Sequence, residues 1–248
     1  MFYTRYIKNK KIFSSDLIPE LEHFFTTRDT IIRGSDNSIQ DLIAKNKQDI
    51  CNVLEIELCN LISPIQTHSA NVQKVNIEQS DYPDTDGLII DNKKQAIYLN
   101  FADCTPVILY DKKHNIGAIF HAGWKGTVSQ IGQITANIMI NEYGTKLENL
   151  YAIIGPSISE CCYQVGDEVF NKLKASVNNI EGLYHIENNN TYVNLKKINK
   201  EQLLDINIPE KNIDVCPYCT SCDNNLFFSY RKENGTTSRH SAIIKLRT

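Results

Sequence analysis

AIYLNFADCTPVILYDKKHNIGAIFHAGWKG, residues 96–126, contains three short apolar runs separated by polar residues. AIYLN (96–100), PVILY (106–110) and IGAIF (116–120) are bounded by Asp, Asn, Lys and Gly, which is the pattern of buried strands. Asp103 and Cys104 come straight after the first run, and His121 straight after the third, before a Gly-containing turn and a helix start. Residues at the carboxyl ends of buried strands converge on one sheet edge, where α/β proteins build their sites. Cys104 and His121 are seventeen positions apart, so a hairpin between them would bring the two together.

Downstream the period changes. Val128, Ile131, Ile134, Ile138 and Met139 recur at helical spacing, with Gly144 as a stop. YAIIG (151–155) reads as a strand. Residues 167–175 read as a helix with Val169, Phe170 and Leu173 on one face, and residues 195–204 as another helix. FFSY (227–230) and AIIKL (242–246) read as closing strands. Strands alternating with helices give an α/β class, or α+β, with mixed β-sheet layers flanked by helices. The 248 residues carry no internal repeat and no Gly/Ser/Pro linker, so one domain over 1–248 is the simpler expectation.

Composition excludes several function classes. Hydrophobic residues make up 42% and charged residues 22%, ordinary for a soluble globular chain, and the formal net charge is −3. The Lys clusters (Lys8, Lys10 and Lys11; Lys196 and Lys197) have no aromatic platform or nucleic-acid module beside them, so no nucleic-acid partner is expected. The start, MFYTRYIKNKKIF, is interrupted by charge every few residues, unlike a secretory signal, and no window suits a membrane span. A cytoplasmic location and reduced thiols are therefore expected for the eight cysteines.

His68 lies in a polar break, QTHSAN, after the apolar Leu61 and Ile62. Two imidazoles and one thiolate would leave a fourth coordination position open, as in a catalytic zinc site. Such donors suit zinc or copper and suit magnesium poorly. The residue types alone permit two other readings. Cys104 and His121 are a core thiol and a satisfied core histidine, or Cys104 is a nucleophile with His121 as its base.

Five motifs occur in order: THSANV, ADCTPVILYD, GAIFHAGWKGT, GPSISECCYQVG and CTSCDNNLFFSYR. Together they resemble the laccase-domain family, also described as multicopper polyphenol oxidase or purine nucleoside phosphorylase. The likeness runs from about Phe24 to near the C-terminus, with ADC followed by HAGW as its most diagnostic pair. The resemblance implies that His68, Cys104 and His121 bind a catalytic metal. It also implies phosphorolysis of adenosine, inosine and guanosine to ribose 1-phosphate and free base, cleavage of methylthioadenosine, and deamination of adenosine.

Residues around this triad have two readings each. Lys125 adds positive charge at a helix start or is simply solvated. Arg28 in FFTTR and Arg231 in FFSYR grip phosphate or ribose, or pair with surface carboxylates. Tyr163 stacks on a purine or packs; Asp103 orients a ligand or serves as a turn residue. The family usually follows FTTR with a Gly-Gly loop, whereas this chain continues Asp29-Thr30-Ile31-Ile32-Arg33. That departure puts contacts carried over from the region, Arg28 included, in question.

Cys216, Cys219 and Cys222 form C-x2-C-x2-C. An iron–sulfur cluster needs a fourth thiolate, and the position expected for it after Cys222 is not filled. A local packed corner or an opportunistic metal site is the better reading. Cys161 and Cys162 are read as structural, and Cys51 and Cys59 carry no signal.

The leading expectation is thus a zinc-dependent purine nucleoside phosphorylase with adenosine deaminase activity, its partners purine nucleosides and phosphate. The alternatives are a copper-dependent polyphenol oxidase and a non-enzymatic metal-binding protein. A laccase needs several coppers and many histidines, and this chain has six histidines in all.

Overall fold

The computed structural model describes residues 1–247. Along the chain run β1 (Phe2–Ile7), β2 (Lys10–Ser15), β3 (Leu21–Thr26), α1 (Gln40–Leu54), β4 (Leu61–Ile62), β5 (Val72–Lys74), β6 (Gly87–Ile90), β7 (Ala96–Phe101), β8 (Thr105–Asp111) and β9 (Ile116–Ala122). Then follow α2 (Trp124–Val128), α3 (Ile131–Tyr143), β10 (Leu150–Ile154), β11 (Gln164–Val165), α4 (Asp167–Lys174), β12 (Tyr184–Glu187), β13 (Asn190–Val193), α5 (Leu195–Asp205), β14 (Ile213–Val215) and β15 (His240–Leu246).

Two mixed six-stranded sheets form the body, with strand orders β1-β2-β3-β15-β7-β4 and β14-β10-β8-β9-β6-β5; a small sheet, β11-β13-β12, stands apart. The class is the mixed α/β one expected from the sequence. Side chains alternate across each strand, so one strand serves two layers. Ile97, Leu99 and Phe101 of β7 meet Ile108 and Tyr110 of β8 in the core between the large sheets. Ala96 and Tyr98 of β7 face the other way with Ile50 and Leu54 of α1. Val107 and Leu109 of β8 pack with Ala136 and Met139 of α3 and Leu203 of α5. Burial on both faces is why β8 and β9 read as continuous apolar runs.

The expected hairpin is present. β8 and β9 pair antiparallel with Thr105 opposite Ala122 and Pro106 opposite His121. Two elements differ from the sequence reading. The single helix expected after Trp124 is broken at Gln130 (φ 55°), where Thr127 O accepts from Gln130 N and from Gln202 Nε2 of α5 rather than continuing the ladder. FFSY is not a strand. It lies in a series of turns in which Phe227 N donates to Asp223 O and Ser229 N to the Glu233 carboxylate, and Phe227 is buried in the inter-sheet core. Its two phenylalanines are covered by packing, so apolarity there carries no strand information.

Candidate metal centre

Three segments meet at one end of the hairpin: the loop after β4, the β7–β8 turn and the end of β9. They bring His68, Cys104 and His121 together, with donor atoms all within 4.8 Å of one another. The two imidazole rings stand 4.7 Å apart, edge to face. A tetrahedral zinc ion separates nitrogen and sulfur donors by roughly 3.3–3.8 Å, so these three residues fit one ion without rearranging the backbone.

Asp86 organises the cluster, and sequence reasoning missed it. It is fully buried just before β6, and its Oδ1 accepts from His121 Nδ1 at 2.8 Å. That bond leaves Nε2 of His121 as the donor for a metal, the arrangement by which carboxylates orient ligand histidines. Oδ2 of Asp86 accepts from Thr67 N, Ser69 N and Ser69 Oγ at 3.0, 2.7 and 2.8 Å. His68 between them has φ 62°, a left-handed conformation costly for a non-glycine residue, and the carboxylate holds it there. The available signal was its position, since Asp86 precedes the apolar run GLII much as Asp103 and Cys104 precede PVILY.

Cys104 is also placed by a left-handed residue. Asp103 has φ 83°, and its carboxylate accepts from Thr220 Oγ1 and Arg231 N, both at 2.7 Å, while its carbonyl accepts from Ile158 N. Asp103 is thus a turn residue that joins three segments behind the thiol. Gly123 gives the thiol room. A Cβ there would lie 2.9 Å from Cys104 Sγ and 3.3 Å from His68 Cδ2.

The electrostatics suit a metal ligand. Burial pushes the Cys104 thiol up, but the charge of His121 and hydrogen bonds from His121 and His68 prevail, bringing it down to about 6. Burial opposes charge on His121 as well, yet Cys104 and Asp86 raise it to about 9. Burial disfavours the charged form of Asp86 too, but its bonds to His121 and the Ser69 and Thr67 amides hold it well below the usual carboxylate range. Both shifts favour the thiolate form of Cys104 and a proton on His121, and a divalent ion would take the place of that proton.

Beside the triad, Arg231 lies 5.4 Å from the Tyr163 ring centroid and donates from Nη1 to Gln164 O. Burial and the nearby Cys104 hold the Tyr163 phenol protonated. Arg239, another residue the sequence reading missed, is half-buried within the electrostatic reach of Cys104 and Asp103, and its backbone pairs with Arg33. Neither Arg231 nor Arg239 has a carboxylate partner among the described residues. Arg28 does. Its Nη2 pairs with Glu233 at 2.5 Å, its Nε donates to Asn224 O and Phe227 O, and its guanidinium covers Phe228. Lys125 is exposed beside Trp124.

A family model described as multi-copper polyphenol oxidoreductase laccase matches residues 33–247. The chain belongs to this family. A curated relative, purine nucleoside phosphorylase YlmD of Bacillus subtilis, is 31% identical over 215 residues, covering 83% of this chain and 77% of that protein. Adenosine deaminase RL5, from an unknown prokaryotic organism, is 30% identical over 191 residues, or 72% of each chain. Among solved structures, hypothetical protein YfiH from Bacillus licheniformis superposes with a TM-score of 0.89 at 28% identity, covering 98% of this chain and 99% of that one. YlmD from Geobacillus stearothermophilus gives 0.86 at 26% identity, covering 96% of each chain. The family's curated members thus carry enzyme names of purine nucleoside chemistry, and no described helix here is long and apolar enough to cross a membrane.

Proposed function

We propose that the chain is a zinc-dependent purine nucleoside phosphorylase acting in the cytoplasm on adenosine, inosine, guanosine and methylthioadenosine, with adenosine deaminase activity. The observation that carries this reading is the His68–Cys104–His121 donor set locked by Asp86, next to two arginines that have no carboxylate partner among the described residues. The names of the two curated relatives supply the substrate class.

Zinc bound by the triad would supply a Lewis acid, polarising phosphate or lowering the pKa of a water. The chain's own residues do the rest. Arg231 and Arg239 offer charge-assisted hydrogen bonds that draw phosphate towards the triad. Tyr163, under the Arg231 guanidinium, presents a flat ring against which a purine can stack. In phosphorolysis a phosphate oxygen bonds to the anomeric carbon as the bond to the purine nitrogen breaks, and the departing base takes its electron pair and a proton. In deamination water adds at the amino-bearing carbon and ammonia leaves. Asp103 keeps Cys104 and Arg231 in mutual register through both reactions.

Copper-dependent phenol oxidation draws less support. Among the described residues only His68 and His121 share a donor cluster, too few for several coppers.

The test is product analysis of metal-quantified protein with adenosine and inosine, with and without phosphate. Phosphate-dependent release of adenine and hypoxanthine, abolished in Cys104→Ala, is expected. Full turnover in the variant, or no base released by a zinc-loaded parent, would refute the reading.

A further inference from the structure

Four cysteines with no part in that chemistry also meet. Cys161 and Cys162 lie in the segment after β10, Cys219 and Cys222 in a turn after β14, and their sulfurs all lie within 4.8 Å of one another. Cys222 Sγ is 3.5 Å from Cys161 Sγ and 3.4 Å from Cys162 Sγ. These separations are far beyond a disulfide bond of about 2.05 Å. They approach the roughly 3.8 Å between sulfurs arranged tetrahedrally around one ion with bonds of about 2.3 Å. The sequence run C-x2-C-x2-C is misleading here, because Cys216 is buried outside the cluster and the adjacent pair Cys161–Cys162 completes it.

We propose that Cys161, Cys162, Cys219 and Cys222 form a second metal site, a closed tetrathiolate that holds a structural zinc ion.

Two further observations point the same way. Cys219 Sγ accepts from Ser159 N at 3.4 Å, and the amides of Ser221 and Cys222 also face it, which is how a tight turn supports a ligand thiolate. Lys196 of α5 is the second. It is 4% exposed, its Nζ donates to Cys216 O and Tyr218 O at 2.9 and 2.7 Å, and it has no ion-pair partner within 4 Å among the described residues. It lies within electrostatic reach of Cys216, Cys219, Glu160 and Cys161. A buried ammonium is costly without an opposing charge. Glu160 offsets part of that cost without pairing to Lys196, and four thiolates around a divalent cation, with a net double negative charge, would offset more.

The ion would pin the segment after β10 to the turn after β14. Both contact the triad's surroundings, since Ile158 N and Thr220 Oγ1 donate to Asp103, next to Cys104. The four-cysteine site is thus a clamp behind the catalytic wall, and it stands whatever substrate the triad acts on.

The test is metal counting by plasma mass spectrometry on the full chain, purified reduced with zinc. A His68→Ala/Cys104→Ala variant should retain one zinc per chain, and reconstituted with cobalt it should show the intense visible and thiolate charge-transfer bands of a tetrahedral sulfur site. Cys219→Ser/Cys222→Ser should lose one zinc relative to the parent. If that variant does not fold, the parent's own stoichiometry, two ions against one, decides. A triad variant free of metal and of thiolate–cobalt bands would overturn the proposal, as would a disulfide between Cys222 and Cys161 or Cys162 found by peptide mapping of unreduced protein.

Discussion

His121 donates from Nδ1 to Asp86 Oδ1 at 2.8 Å, and both side chains are buried. The other oxygen of the same carboxylate is taken up by the amides on either side of His68. One residue therefore sets the tautomer of one ligand and the backbone of another. It follows that the triad's geometry depends on a side chain that touches no metal.

Asp86→Asn should lower the triad's zinc affinity about 10–100-fold, the usual cost of removing such a partner. Chelator competition measures this, and unchanged affinity would refute the positioning role. Stability should change as well. The folded-state pKa of Asp86 lies below its ordinary value of 3.8, so its contribution is present above that pH and lost as pH falls below it. Acid unfolding of the parent should accordingly show a steeper limb below about pH 4 than the Asn variant.

In metal-free protein, Cys104 should alkylate with an inflection near pH 6, far below the roughly 8.5 of a free thiol. Its thiolate fraction grows as pH rises through that value. His121, raised to about 9, still holds a proton there, so zinc affinity should keep rising with pH up to about 9 as that proton becomes easier to displace. Iodoacetamide labelling read on the Cys104 peptide checks the first expectation, and titration with released-proton counting checks the second. An inflection above pH 8 would show that the imidazoles do not stabilise the thiolate.

Gly123→Ala should empty the triad while leaving the fold standing. The new methyl would lie 2.9 Å from Cys104 Sγ, and both nearby side chains are ligands that cannot move without losing their geometry. Overpacking of this kind costs about 1–3 kcal/mol of stability. Activity should fall by more than tenfold with metal content, and thermal melting of the metal-free forms should separate the local effect from the global one. Full metal occupancy in the variant would show that the neighbours give way.

Cys104, His121 and the strands beneath them were legible in the sequence because burial on both faces makes β7, β8 and β9 stand out as apolar runs with polar ends, whereas His68, in a loop, joined them only through the family resemblance. Asp86 was not, since a lone aspartate before a strand reads equally well as a turn. The four-cysteine cluster was half visible. Spacing showed Cys219 and Cys222, but only the fold shows that Cys161 and Cys162 reach them and that Cys216 does not. β1 to β3 went unread because β1 is an edge strand with Tyr3, Thr4 and Tyr6 exposed, and the inner partner of β3 is β15, at the far end of the chain. The departure after Arg28 becomes a three-ten turn capped by Thr27, with Ile31 and Ile32 buried so that Arg33 pairs with Arg239.

That last pairing separates the arginines by role. Burial and the neighbouring Arg33 both disfavour the charge of Arg239, while Cys104 and Asp103 favour it. A half-buried guanidinium bonded, among the described residues, to Thr236 O and Ser238 O has capacity left for an anion. Arg239→Ala should therefore raise the KM for phosphate about 10–100-fold, as expected from losing charge-assisted bonds of about 1.5–3 kcal/mol, with zinc content unchanged and partial rescue by Arg239→Lys. Arg28→Ala is the contrast. Its guanidinium is committed to Glu233 and the 224–227 turn, so its loss should lower thermal stability and raise proteolysis of that segment while moving the KM for phosphate little. Initial-rate kinetics over a phosphate series distinguish the two. A phosphate effect confined to the Arg28 variant would reverse the assignment.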